Sequence, residues 1–124
     1  RATLSTLVEQ ALDLPSGRDR DIAVHEARKK AKRTRYAAEA ATEALGAPAR
    51  ALTKNMKSLT TLLGEHQDSV MARRTLRELS AVAHAAGESA FTYGLLYGRE
   101  EARAAQAEEE LPGLWREIGS GQAG

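Results

Sequence analysis

The chain has 124 residues, with 18 Lys/Arg against 17 Asp/Glu, no cysteine and five aromatic side chains. That length makes one domain or part of one; the composition excludes a disulfide framework, thiolate chemistry and a membrane-spanning helix, since no apolar run approaches roughly 20 residues. The near-neutral total hides a basic half and an acidic half: residues 25–36 carry six Lys/Arg against one Glu, residues 50–77 six against two acids, and residues 99–117 six Glu against three Arg.

Ala and Leu dominate the apolar content and no segment alternates as a strand, so the chain reads as all-α. Thr3–Asp13 is a short helix ended by Leu14-Pro15-Ser16-Gly17, and residues 1–18 form a helix and linker. Asp19 or Asp21 is placed to cap a second helix that runs to about Leu45, where Gly46 and Pro48 end it. Val24, Ala27, Ala31, Ala38 and Leu45 share its core face. A third helix resumes near Ala49 with Leu52, Met56, Leu59, Leu62, Leu63 and Val70 on one face. Beyond Met71 the apolar set (Leu76, Leu79, Val82, Ala83) lies almost half a turn away. Either the helix breaks around Gly64–Asp68, or one long helix changes packing partners. Gly87 punctuates, residues 88–110 are helical again with Gly94 and Gly98 placed for close helix contact, and Pro112 kinks or ends that helix before a last turn holding Trp115. Short connections predict an antiparallel four-helix-type bundle with long helices over residues 19–118, followed by a flexible tail at 119–124.

The segment His25-Glu26-Ala27-Arg28-Lys29-Lys30-Ala31-Lys32-Arg33-Thr34-Arg35-Tyr36 carries the strongest functional signal. With His25 at 0° on a helical wheel, Lys29 falls at about 40°, Lys32 at about 340°, Tyr36 at about 20°, Arg28 at about 300° and Arg35 at about 280°. A solvated helix face normally interleaves Glu with Lys at four-residue spacing, and here Glu26 is the only acid in the run. An unbalanced rib of this kind points to a polyanionic partner. Charge alone would make nucleic acid the default, but Tyr36 is the only aromatic in the basic half, so stacking platforms for bases are lacking and nucleic acid is disfavoured.

The spacing His25-x-x-Arg28-Lys29-x-x-Lys32-Arg33-x-Arg35-Tyr36, preceded by Val24, resembles the signature helix of the CHAD family, helical domains named for a characteristic histidine. Lys54-x-x-Lys57-x-Leu59-x-x-Leu62-Leu63-Gly64-Glu65-His66-Gln67-Asp68 resembles that family's second motif. Gly94…Gly98-Arg99-Glu100, followed by Leu111-Pro112-x-Leu114-Trp115, resembles the tail of its C-terminal repeat, so the likeness covers residues 20–117. The resemblance implies one repeat, the second, of a fold built from two pseudo-symmetric helical bundles. It implies binding of inorganic polyphosphate and the company of a CYTH-type triphosphatase domain in the same chain. A homodimer, or pairing with a missing first repeat, would rebuild the two-bundle groove. A cytoplasmic location, associated with polyphosphate granules, is expected. Because the chain opens on Arg1, it reads as a fragment or processed product.

Polyphosphate is a flexible anion without bases, and it is read by regularly spaced cations. His25 to Tyr36 spans about 16 Å, enough to follow several phosphates. Arg28, Arg33 and Arg35 offer bidentate forks; Lys29, Lys32, Lys54 and Lys57 act as point charges; Tyr36 completes the rib. His25 either bonds to a nearby carbonyl or carboxylate, or donates to phosphate when protonated, which makes binding tighter at pH 6 than at pH 8. No catalytic residue, cofactor or metal site is expected: His66 and Asp68 lack companion ligands and read as packing or capping residues, and His84 reads as structural. The competing readings are a polyphosphate hydrolase, a nucleic-acid binder, an accessory domain to a triphosphatase, and a scaffold docking an acidic protein.

Overall fold

The computed structural model describes residues 3–123 and contains four helices: α1 (Leu4–Asp13), α2 (Arg18–Leu45), α3 (Ala47–Ala85) and α4 (Phe91–Ala123). Among the described residues there is no strand, so the chain is an all-α bundle. Sequential helices pack on one another: α1 on α2, α2 on α3 and α3 on α4.

Local chemistry sets the helix ends. Thr3 caps α1 by accepting the Thr6 backbone N–H on its Oγ1 at 3.2 Å, and the helix stops at Leu14, whose extended backbone suits the following Pro15. Gly17 is the N-cap of α2, with a φ of 150° and no side-chain bond; Asp19 and Asp21 sit inside the first turn instead of capping it. There they still oppose the positive end of the helix dipole. At the far end Gly46 takes φ 67°, and its N–H closes onto the Thr42 carbonyl at 2.8 Å. Pro48, which was expected to mark the end of α2, lies in the first turn of α3, where its missing N–H goes unmissed.

The third helix does not break at Gly64–Asp68. It runs for 39 residues, about 58 Å, and changes partners on the way. Its first half buries Met56, Leu59, Leu62 and Leu63 against Val8 and Ala11 of α1, Val24, Ala27 and Ala31 of α2, and Ala107, Leu111 and Ile118 of α4. Helix α1 therefore packs into the bundle through Val8 and Ala11. Leu45, expected on the core face, is exposed at the end of α2. Beyond the N-terminal end of α2 only α3 and α4 continue, as a two-helix arm closed at Gly87, which has φ 74°.

The arm is thinly packed. Ala83 is buried in it, while Leu79, Val82, Phe91 and Leu95 stay exposed. A Cβ built on Gly94 or Gly98 meets nothing within 4 Å, so these glycines bring no helix close. Pro112 lies inside α4 without ending it, and the helix runs on to Ala123. Ile118, 3% exposed in the core cluster, anchors that last segment.

Candidate functional site

Helix α2 presents the predicted rib along its length. Lys29 pairs with Glu26 of its own helix at 2.8 Å, and this hydrogen bond holds the Glu26 carboxyl below its ordinary range. Arg35 pairs with Glu39 at 3.0 Å, and its guanidinium lies 5.9 Å from the centroid of the exposed Tyr36 ring. The rib is thus less naked than its sequence window implies, because Glu39 falls just beyond it. Arg28, Lys32, Arg33, Lys54 and Lys57 form no ion pair among the described residues.

Arg28 is seated against α3. A Cβ at Gly64 would lie 3.3 Å from Arg28 Nε and 3.5 Å from Nη2. The bare helix surface at Gly64 gives the guanidinium its place, and its Nε is buried without a hydrogen-bond partner. This contact sets Arg28 level with Gly64 across the antiparallel pair of α2 and α3. Lys57, two turns before Gly64 and about 20° from it on the wheel, comes level with Arg35, and Lys54 lies a turn further out.

At the opposite end of the rib, an open cavity of about 600 Å³ lies between α2 and α3. Arg18 and His25 line it from α2; Arg73, Arg74 and Arg77 line it from α3; Asp21 is the acid on its wall. His25 Nδ1 is buried and has no hydrogen-bond partner, so that nitrogen is not committed to an internal carbonyl or carboxylate. The uncapped first turn of α2 opens here too, since Gly17 forms part of the wall, and free N–H groups of a helix start favour anions. The sequence reading of the site missed Arg18, Arg73, Arg74 and Arg77. Arg18 was within reach of periodicity, lying seven residues before His25 and therefore about 20° away on the same wheel. The three arginines of α3 were counted as charge, but no local pattern aims them at α2.

A buried polar cluster lies behind the cavity. His66, 1% exposed, donates from Nε2 to Glu108 Oε2 at 2.8 Å and stands 3.6 Å from Asp21 Oδ1. Glu108 also accepts from the Ser16 hydroxyl and faces Arg20 Nη1 at 3.4 Å. One carboxylate of α4 therefore ties together the α1–α2 link, α2 and α3. Burial pushes the Glu108 carboxyl upward, but the Ser16 and His66 hydrogen bonds and the Arg20 charge outweigh it, and the net displacement is below the ordinary value. At Asp21 burial wins over the charges of His66 and Arg73, and its carboxyl is raised. Donor atoms of Asp21, His66 and Glu108 lie within 4.8 Å of one another, a metal-like spacing; the Arg20 guanidinium already brings a positive charge to the same carboxylate. The expectation that His66 lacks companion ligands does not hold: Asp21 of α2 and Glu108 of α4 stand beside it, whereas Asp68 is not part of the group. His84, read from the sequence as structural, is exposed on the arm.

The family model described as "CHAD domain" matches residues 1–77. The matched span covers α1, α2 and most of α3, and stops short of α4. Two proteins of Mycobacterium tuberculosis, from strain CDC 1551 / Oshkosh and strain ATCC 25618 / H37Rv, are each 44% identical to the chain over 99 residues; both are described as uncharacterized. The alignment covers 80% of this chain but only 18% of each relative, so the chain spans less than a fifth of their length. No solved structure matches the chain.

Proposed function

The chain belongs to the CHAD domain family, and on that premise we propose that it binds inorganic polyphosphate without catalysing its hydrolysis. The anion runs along α2 past Tyr36, Arg35, Arg33, Lys32, Lys29 and Arg28, flanked by Lys57 and Lys54 of α3, and ends in the cavity at His25. One observation carries this reading: Arg18, Arg73, Arg74 and Arg77 converge on one cavity from two helices, and none of them has an ion-pair partner among the described residues. Unpaired guanidinium groups repel one another, and a linear polyanion relieves that repulsion through charge-assisted forks. The family's link to polyphosphate supports the same ligand.

The chain corresponds to the second repeat of a two-bundle domain. A companion repeat or a second copy supplies the facing wall, and a CYTH-type triphosphatase domain accompanies it in the longer protein. The exposed apolar arm is consistent with such a neighbour.

Titration with polyphosphates of defined length at two salt concentrations tests the proposal. Affinity should rise with chain length and fall by roughly tenfold or more between about 50 and 200 mM salt, as counterion release requires for several neutralised phosphates. Equal affinity for pyrophosphate and long polyphosphate would rule out tracking along α2. Phosphate release in the presence of Mg²⁺ would overturn the non-catalytic reading, and displacement by nucleic acid at equal charge concentration would overturn the choice of ligand.

A further inference from the structure

Arg77 lines two cavities. It forms one wall of the arginine-lined cavity between α2 and α3, and it also borders a second cavity of about 580 Å³ between the two helices of the arm. The second cavity is different in character. Its walls include Leu76, Tyr93 and Tyr97, with Ser80 and His84 as polar groups. Arg77 is held at the junction: its Nη1 donates to the Tyr97 hydroxyl at 3.0 Å, and its guanidinium lies 5.7 Å from the Tyr97 ring centroid.

We propose that the two cavities form one composite site for a nucleoside 5′-polyphosphate, its phosphates among Arg18, Arg73 and Arg74, Arg77 at the junction, and its base against Tyr93 and Tyr97. The proposal rests on the anion-binding reading of the first cavity and adds a specificity to it. Aromatic rings and a guanidinium plane are what a base stacks on. The Ser80 hydroxyl and the His84 ring provide hydrogen-bonding groups for ribose hydroxyls or base edges. No aromatic residue interleaves the basic run in the sequence. The platform comes from α4, about twenty residues downstream of Arg77, and only the antiparallel packing of the arm sets it beside the arginines.

Calorimetric titration of the 124-residue chain with ATP and with inorganic tripolyphosphate, in the absence of divalent metal, separates the contributions. The two ligands carry the same number of phosphates, and tripolyphosphate has the higher charge. ATP should nevertheless bind about tenfold more tightly, the scale of one stacked base. Tyr93→Ala should remove that preference while leaving tripolyphosphate affinity within about twofold, and that unchanged affinity itself reports an intact cleft. Tyr93→Phe, which keeps the ring, should retain the preference. Equal or weaker binding of ATP, or a Tyr93→Ala variant that loses both ligands equally, would overturn the proposal and leave the polyphosphate reading standing. Failure of both ligands to bind an unaltered chain that still binds long polyphosphate would likewise overturn the proposal alone, and failure of long polyphosphate as well would remove both.

Discussion

Gly64 and Arg28 act as a pair. Glycine in a helix interior lowers stability by roughly 1 kcal/mol relative to alanine, yet here it makes room for a guanidinium that has no carboxylate partner. In Gly64→Ala the new methyl, 3.3 Å from Arg28 Nε, displaces the end of a flexible side chain. The gain in helix propensity and the lost contact therefore offset each other, and stability by urea denaturation should change by less than about 1 kcal/mol. Polyphosphate affinity should still fall by about two- to fivefold, because one fork of the rib has moved. A large stability loss with unchanged affinity would show that Gly64 serves packing alone. His25 gives the second test at this scale. It faces Arg18, Arg73 and Asp21 in the cavity, with a buried and unbonded Nδ1. Imidazole charges between about pH 5 and 8, so polyphosphate should bind more tightly at pH 6 than at pH 8, and His25→Ala should flatten that dependence. If wild type and variant track each other across this range, His25 does not touch the ligand.

Among the elements, α4 lies outside the family match yet ties the interior together. Through Glu108 it reaches Ser16, Arg20 and His66 at once. The displaced carboxyls fix the sign of the pH response. Glu108 is held below its ordinary value of 4.5, so its stabilising effect is complete above that value and disappears as pH falls through the depressed range. Asp21 is raised above its ordinary 3.8, so it opposes folding at neutral pH and favours the folded state in acid. Glu108→Gln should therefore destabilise the bundle by about 1–3 kcal/mol at pH 7, a deficit that narrows toward pH 3. Asp21→Asn should have the smaller effect at pH 7. Denaturation midpoints of the three proteins at both pH values check this order; a Glu108→Gln deficit independent of pH would show that its carboxylate charge is not the stabilising feature. None of this cluster was legible in the sequence, since His66 and Glu108 are 42 residues apart and neither stands in a local pattern. The helices themselves were legible, because the faces carrying Val24, Ala27, Ala31 and Ala38, and Met56, Leu59, Leu62 and Leu63, follow the helical period without interruption. The shift of apolar phase near Met71 was visible too, but its meaning depended on which partner each half of α3 meets. That is a tertiary fact.

For the molecule as a whole, this asymmetry divides one continuous bundle into a dense end and a sparse end. The dense end holds the apolar cluster to which all four helices contribute. The sparse end is the arm, where Phe91 is 71%, Val82 67% and Leu95 60% exposed. Opening free energy scales with buried apolar contact, so the two ends cannot share one stability. Backbone amides of residues 76–100 should exchange with solvent at least about tenfold faster than those of residues 56–66, even though both stretches are helical. A facing bundle that covers Phe91, Val82 and Leu95 would remove that difference. The exchange measurement, repeated in a longer chain containing the first repeat, thus tests the arrangement directly. Protection of the arm should rise selectively there, while residues 56–66 remain as they were. Uniform protection already present in the 124-residue chain would mean that the arm is stable alone, and its apolar face would no longer call for a covering bundle.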